Sequence, residues 1–278
     1  MNKLFRANFA RLKKSKSLWI CVAVTILFSA GFCLSQYREK INGYDISPDT
    51  VFFSPYIVVG ILMAIFCSLF IGTEYSDGTI RNKLVVGHSR NSIYLVNFMT
   101  CCVAGFLMIL AYLAVTCALG IPLLGPLRID IQTTLLWLLV GVLLTVAYAA
   151  IFILLSMLNQ NKTLVAIISV VLAFLTIFLF AYLYGRMNEP EFITPLSLTM
   201  NDGKTIYQQS ESVPNPDYLN DSQRARFQFV MDFLPTTQAG QLAARDVPHA
   251  GLMLLYSGII IVVTNATGMF FFQRKDLK

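Results

Sequence analysis

The chain has 278 residues, of which 56% are apolar and 13% are charged, and its formal net charge is +6. An average soluble domain carries about 25% charged residues, which help to cover its surface. The composition therefore excludes an ordinary soluble domain and favours a membrane protein.

The first 16 residues combine basic residues with apolar residues that recur at a helical period. The apolar residues share one stripe of a helix: Leu4, Phe5, Phe9 and Leu12. The basic residues Arg6, Lys13 and Lys14 lie mostly off that stripe. This pattern predicts an N-terminal interfacial helix that lies in the headgroup layer and leads into the first span. A solvated basic tail is the alternative.

Six apolar stretches without any acidic or basic residue are each long enough to cross a bilayer. They lie at about Leu18–Leu34, Val51–Ile71, Ile93–Leu119, Thr134–Leu158, Thr163–Tyr184 and Gly251–Phe272. About 20 helical residues span a hydrocarbon core of ~30 Å, and each segment must close its own backbone hydrogen bonds. The sequence therefore predicts an all-α polytopic membrane protein with six transmembrane helices. We expect a single transmembrane domain over residues 1–278, with spans one to five in 17–184, an extracellular cap segment in 185–250 and span six in 251–272.

Basic residues concentrate on the side of the membrane that holds the N terminus. That side receives 13 of the 21 Lys and Arg residues but only three of the 15 Asp and Glu residues. Since positive residues mark cytoplasmic loops, both termini are expected in the cytoplasm. The positive net charge then reflects membrane orientation, and no nucleic-acid partner is expected.

The loop after the second span, GTEYSDGTIRNKLVVGHSRNSIY, is the densest polar cluster on that side. Gly78 and Gly87 bracket Thr79–Val86, which is expected to form a short helix capped by Asp77 or Thr79. Ile80, Leu84 and Val85 share one face of this helix. Arg81, Asn82 and Lys83 point away from that face. Such a helix would move both neighbouring spans when it is pushed from the cytoplasm. An ordinary basic loop lying on lipid is the alternative.

The same loop carries the string Glu74–Leu84, followed by Gly87, Ser89, Arg90, Ile93 and Tyr94. This combination resembles the permease subunits of bacterial type-2 ATP-binding-cassette (ABC) exporters, such as sodium-export, bacitracin-resistance and lantibiotic-immunity permeases. In that family a glutamate ends the second span, and a Gly-Thr pair opens the coupling helix that docks on the ATPase subunit. The partner-binding residues that the resemblance implies here are Glu74, Asp77, Gly78, Thr79, Ile80, Arg81, Asn82, Lys83 and Leu84.

The resemblance also implies that ATP is hydrolysed on a separate polypeptide. The chain has no G-x-x-x-x-G-K-[ST] loop to hold a nucleotide, so we expect a non-enzymatic subunit without a cofactor or metal of its own. The implied partners are two copies of an ABC ATPase that binds ATP and Mg²⁺, and a second permease, identical or homologous. The implied location is the plasma membrane of a bacterium.

The external segment before the last span is too polar and too long to be a simple connector. Asn201-Asp202-Gly203 predicts a hairpin turn, Ser212–Asn220 a loop, and Asp221–Leu234 and Thr237–Arg245 two short helices. We expect a small cap that rests on the outer membrane surface or covers the exit of a translocation path. A lid without any ligand role is the alternative. All six cysteines lie in predicted spans, so no disulfide is expected in this cap.

Spans without charge disfavour a carrier driven by protons or ions, which normally needs a charged residue in the membrane. The two histidines lie on opposite sides of the membrane, which disfavours an intramembrane enzyme. We therefore expect an outward-moving permease for an amphipathic or hydrophobic cargo, such as a peptide antibiotic or a lipid-like molecule. The alternatives are a proton- or ion-coupled six-span carrier and a membrane scaffold that does not transport.

Overall fold

A computed structural model describes residues 2–194, 196–201, 204–209 and 211–275. Its helices in chain order are α1 (Asn2–Lys14), α2 (Lys16–Ile41), α3 (Pro48–Phe53), α4 (Pro55–Ser76), α5 (Thr79–Val85), α6 (Arg90–Val115), α7 (Ile121–Leu124), α8 (Ile131–Leu158), α9 (Lys162–Met187), α10 (Asp221–Phe233), α11 (Pro235–Ala244) and α12 (Ala250–Arg274). A π-helical turn, Thr116–Gly120, joins α6 to α7. The strands are β1 (Phe192–Ile193), β2 (Leu196–Asn201), β3 (Lys204–Gln209) and β4 (Val213–Pro214).

Six helical stretches of the described chain are long and apolar enough to cross a membrane, as predicted. They are α2, α3 with α4, α6 through α7, α8, α9 and α12. Their bounds differ from the prediction because hydropathy marks only the part that matches lipid, whereas a helix continues until its hydrogen bonding is interrupted. Thus α2 extends beyond Leu34 to Ile41, and α4 extends beyond Ile71 to Ser76. The predicted stretch Val51–Ile71 is free of charge, and Glu74 enters α4 only through this extension.

Polar residues in the loops fix where four of the long helices begin. Ser15, Ser89, Asp130 and Asn161 each accept a hydrogen bond from an amide in the first turn of the helix that follows. A cap of this kind satisfies an amide that the helix start leaves unpaired and contributes about 1 kcal/mol. The start positions of α2, α6, α8 and α9 are therefore encoded locally.

The N-terminal helix α1 forms as predicted, but its apolar stripe packs against the rest of the protein. Leu4 and Leu12 are buried, and α1 contacts α6. Asn8 lies between these leucines on the same stripe and is also buried. The expectation of a helix that only lies in the headgroup layer is thus corrected, because this stripe belongs to the core of the bundle.

Glycines allow the close approach of tyrosine rings at the centre of the bundle, where α4 contacts α2, α6, α8, α9 and α11. The three pairs are Gly60 with Tyr148, Gly141 with Tyr56, and Gly268 with Tyr94. A Cβ atom added at Gly268 would lie 2.1 Å from the hydroxyl oxygen of Tyr94. Small residues of this kind let helices pack closely in a membrane.

The segment between α9 and α12 forms a cap at the end of the bundle opposite α5. β2 and β3 pair antiparallel, with Asn201 opposite Lys204, as the hairpin signal predicts. The two turn residues, Asp202 and Gly203, lie outside the described residues. α10 and α11 lie close to the predicted helical ranges.

The position of α11 differs from the expectation of a helix that rests on the membrane surface. Most of α11 is buried, and it packs against α4, α8 and α9. Its polar residues find partners inside: Gln238 Nε2 donates to the Asp232 carbonyl oxygen at 2.7 Å, and Gln238 Oε1 accepts from the Ser257 hydroxyl at 2.9 Å. Asp232 accepts from Gln228 at 2.7 Å and contacts His249 Nδ1 at 3.0 Å. These contacts stabilise the polar helix α11 within the bundle.

We expect Gly268→Ala to destabilise the folded chain, because its Cβ atom would overlap the ring of Tyr94. Overpacking of this kind typically costs about 1–3 kcal/mol. Gly258→Ala on the same helix is the matched control, since no neighbouring atom lies within 4 Å of its added Cβ. The measurement is thermal unfolding of the purified chain in detergent. A melting temperature for Gly268→Ala equal to that of Gly258→Ala would contradict the packing argument.

Candidate functional site

The last turn of α4 places a carboxylate in the interior of the protein. The side chain of Glu74 is fully buried, yet two cations reach it from other elements. Arg11 Nη1 of α1 lies 2.5 Å from Glu74 Oε1, and Lys83 Nζ of α5 contacts the same oxygen. Asn97 Nδ2 of α6 donates to Glu74 Oε2 at 2.8 Å. One carboxylate thereby connects α1, α4, α5 and α6.

Asn8 closes this set of contacts. Its Nδ2 atom donates to Asn97 Oδ1 at 2.5 Å, and its Oδ1 atom accepts from Lys83 Nζ at 2.9 Å. We call the five residues Asn8, Arg11, Glu74, Lys83 and Asn97 the Glu74 network. A buried polar network with each member hydrogen-bonded fixes the relative positions of the elements that contribute to it.

The electrostatics of the network explain why both cations are required to stay close to Glu74. Burial lowers the pKa of Arg11 and of Lys83, and the Glu74 carboxylate counteracts this by favouring their charged forms. The guanidinium of Arg11 also lies 3.7 Å above the ring of Phe70 and donates to the Phe70 carbonyl oxygen at 3.2 Å. Removing one partner of a buried ion pair leaves an uncompensated charge, which is costly.

Glycine, not a capping side chain, begins α5. Gly78 is the N-cap residue with φ of 65°, a conformation that strains residues with a Cβ atom. The predicted capping by Asp77 or Thr79 is wrong, since no side chain caps α5. The Thr79 hydroxyl instead donates to the carbonyl oxygen of Glu74 at 3.0 Å, which ties the start of α5 to α4.

The two faces of α5 differ from those predicted. Ile80 is buried and Leu84 is half-buried, as expected, but Val85 is 80% exposed. Lys83 turns inward, because the buried carboxylate of Glu74 offers it an ionic partner. Arg81 and the exposed tip of the loop face away from the bundle. Helical period alone groups these residues in the sequence, and it does not register a partner outside the helix.

The end of α12 is tied to the same region by a second set of contacts. Lys275 Nζ donates to the Tyr75 hydroxyl oxygen at 3.0 Å and to the Met157 carbonyl oxygen at 2.9 Å. Arg90 Nη1 donates to the Phe272 carbonyl oxygen at 2.9 Å. Burial lowers the pKa of Lys275 to about 8. The C-terminal end of α12 is thus held beside α4, α6 and α8.

Sequence reasoning named Glu74 and Lys83 but missed three members of the network. Arg11 is one of several basic residues near the N terminus, and Asn97 is a single polar residue within the third apolar stretch, so neither stands out in the sequence. Asn8 carried the one signal that was available: it is a polar residue at the centre of an apolar stripe, four residues from Leu4 and from Leu12. In the described part of the chain, no three side chains of the metal-binding types converge on one point.

The chain matches a model of the ABC-2 family transporter protein over residues 4–179. The matched region is more than half of the chain and contains all five residues of the Glu74 network. A search of curated proteins finds no significant match.

We expect Glu74→Ala to destabilise the folded chain by about 3–5 kcal/mol, because Arg11 and Lys83 would remain buried without their anion. Asp77→Asn, three residues further on, is the control: its side chain is exposed, and a change of at most about 0.5 kcal/mol is expected. Thermal unfolding in detergent measures both. A similar small effect for the two variants would show that the Glu74 network does not hold these helices together.

Stability should also depend on pH through Lys275, whose pKa is about 8 in the folded chain and about 10.5 otherwise. Between these values the unfolded chain binds this proton and the folded chain does not, so stability rises with pH. Lys275→Met should flatten that rise in unfolding curves recorded from about pH 8 to about pH 10. Lys3→Met, at an exposed position near the same end of the bundle, is the control. An unchanged slope in Lys275→Met would contradict the prediction.

Proposed function

Since the chain belongs to the ABC-2 family of transporter proteins, we propose that it is the permease of an ATP-driven exporter whose motor is a separate ATPase. A member of this family that is a multi-pass membrane protein is the permease subunit of an ABC transporter. The proposal adds the direction of transport, the class of cargo and the way in which the motor is engaged. It assumes that both termini lie in the cytoplasm of a bacterium, as the distribution of basic residues indicates.

The observation that carries the proposal is the attachment of α5. Its inner side is fixed to α4 through Lys83 and Glu74, and its start is fixed through Thr79. Glu74 is bound in turn by Arg11 of α1 and Asn97 of α6. A force applied to α5 therefore reaches three other helices through buried, charge-assisted contacts. These contacts are harder to break than the contacts that a loop makes with lipid.

The outer side of α5 provides the surface for the motor. We define the docking tip as Arg81, Asn82, Val85 and Val86. All four are exposed, and the two valines are exposed to 80% and 76%. Branched apolar side chains beside a cation form a patch that a protein partner can desolvate. Among the other residues that the resemblance assigned to ATPase binding, Glu74, Ile80 and Lys83 lie on the inner side and act by positioning this tip.

The motion expected from this geometry runs along α4. ATP-driven closure of two ATPase subunits would displace each docking tip and, through the Glu74 network, the inner end of α4. α4 also contacts α11 of the cap. A displacement of α4 would therefore move α11 at the outer end of the bundle. The translocation path would form between two permease copies, identical or homologous, with a cap over each half.

The cargo that suits this arrangement is amphipathic or hydrophobic. Among the membrane-length helices of the described chain, α9 is the least buried, and its large exposed side chains from Leu164 to Phe178 are apolar. A path lined by such surfaces between two copies offers no charged groups to replace the hydration of an ion. A peptide antibiotic or a lipid-like molecule matches this surface chemistry.

A proton- or ion-coupled carrier is less well supported, because both oxygens of the buried Glu74 carboxylate are already bound by two cations and an amide and are not available to coordinate a transported ion. Such a carrier would move cargo in vesicles under an imposed gradient without ATP. A membrane scaffold would show neither transport nor cargo-stimulated hydrolysis. An ATPase stimulated by amphipathic compounds, but not by small hydrophilic ions, would support the exporter.

The docking tip is tested by Val85→Asp and Arg81→Glu. Each is expected to reduce recovery of the ATPase with the purified permease at least about tenfold, the loss expected when an interface residue worth about 1.4 kcal/mol is removed. Both side chains are exposed, so the melting temperature of the permease should not change.

The matched controls are Ile131→Asp, 68% exposed at the opposite end of the bundle, and Arg6→Glu on the exposed side of α1. Both should retain the ATPase. Full recovery of the ATPase with Val85→Asp and Arg81→Glu would exclude the docking tip as the binding surface.

A further inference from the structure

A basic pocket lies on the opposite side of Arg11 from the Glu74 network. Its volume is about 360 Å³, and it is an open pocket lined by the end of α1, the start of α2 and the end of α4. The residues that give it its chemistry are Arg11, Lys14, Lys16, Ser15, Ser17 and Asp77. We call this the α1–α2 pocket.

The charges and donors of the pocket favour an anion. Arg11, Lys14 and Lys16 supply three positive charges against the single carboxylate of Asp77. Within the described residues, Lys14 and Lys16 form no ion pair. The Ser15 and Ser17 hydroxyl groups lie 2.9 Å apart on its wall. A phosphate oxygen is the acceptor that best matches clustered cations and hydroxyl donors.

The start of α2 adds to this preference. The only first-turn amide that the Ser15 side chain caps in the described structure is that of Leu18, and this contact is long, at 3.5 Å. The other amides of the first turn have no partner within the helix, and the positive end of the helix dipole points toward the pocket. A helix start beside clustered cations is a favourable position for a phosphate group.

The surface above the pocket distinguishes a lipid from a free phosphate ion. Beyond the pocket, α2 presents a continuous exposed apolar face that includes Trp19, Ile20, Val24 and Leu27. These residues repeat at the helical period from the pocket toward the middle of the span. An acyl chain can lie along this face while its headgroup occupies the pocket, whereas a free phosphate ion would gain nothing from it.

We propose that the α1–α2 pocket binds the phosphate of an acidic phospholipid of the leaflet that faces α1. Arg11 contacts both the pocket and Glu74, so the bound lipid shares a cation with the Glu74 network. The lipid thereby holds α1 in the position from which Arg11 reaches Glu74. This links the lipid composition of the membrane to the group of contacts that attaches α5.

Trp19 provides the readout, because it begins the exposed face beside the pocket, with its indole nitrogen donating to the Lys13 carbonyl oxygen at 2.8 Å. The chain has two tryptophans, so Trp137→Phe leaves Trp19 as the only one. The full chain is reconstituted in nanodiscs of phosphatidylcholine. Either brominated phosphatidylglycerol or brominated phosphatidylcholine is then added at the same low mole fraction, and quenching of Trp19 fluorescence is compared.

Brominated phosphatidylglycerol should quench Trp19 at least about threefold more strongly than brominated phosphatidylcholine, because the two nearby lysines attract an anionic headgroup. Lys14→Gln with Lys16→Gln should bring the ratio to about one. Lys3→Gln with Arg6→Gln removes the same charge from exposed positions of α1 and should preserve the ratio. Asp77→Asn should raise it, because the carboxylate that opposes the phosphate is removed.

A quenching ratio of one in the Trp137→Phe chain without further substitutions, or equal quenching ratios in the two double variants, would overturn the proposal. Added inorganic phosphate separates the two sources of a phosphate group. A ratio that persists in phosphate, at constant ionic strength, supports the lipid. Loss of the ratio at millimolar phosphate would overturn the lipid as occupant and assign the pocket to a free anion.

Discussion

The arrangement of this permease depends on one buried carboxylate. Glu74 has no exposed surface, so its charge is tolerated only while Arg11, Lys83 and Asn97 stay within hydrogen-bonding distance. Buried ion pairs of this kind contribute little net stability relative to apolar residues, but they penalise arrangements in which a partner is missing. α1, α5 and α6 are therefore held in one relationship to α4. This constraint gives the short helix α5 a defined orientation that its few residues could not supply alone.

The constraint also changes the role of the N-terminal helix. A basic amphipathic helix that only lay on the membrane would report on the lipid surface but would not act on the bundle. In the structure α1 contributes Asn8 and Arg11 to the interior, while Lys14 faces the α1–α2 pocket. α1 therefore joins the pocket proposed for a lipid to the contacts that attach α5.

Hydropathy and turn chemistry predicted the six spans, the short helix after the second span and the external helices, because these depend on residues close together in the chain. The partners of Glu74 could not be predicted in this way. Asn8 and Asn97 are separated by 89 residues, and no local pattern indicates that they meet. The inward turn of Lys83 and the burial of α11 have the same cause: the polar groups find partners outside their own helix, Glu74 and Asn8 for Lys83, and Asp232 and Ser257 for Gln238. The resemblance identified Glu74 and Gly78 as special positions, but it did not indicate what surrounds them.

Polar contacts hold both ends of the bundle around α4, whereas close packing holds the middle of the bundle. At one end lies the Glu74 network, and at the other α11 packs against α4 and is bound by Asp232 and Ser257 through Gln238. Between them, glycine–tyrosine contacts such as Gly60 with Tyr148 replace polar bonds by close packing. Well-packed helices are poorly compressible, so a displacement at one end of α4 cannot be absorbed along its length. It must appear at the other end, where α11 covers the bundle.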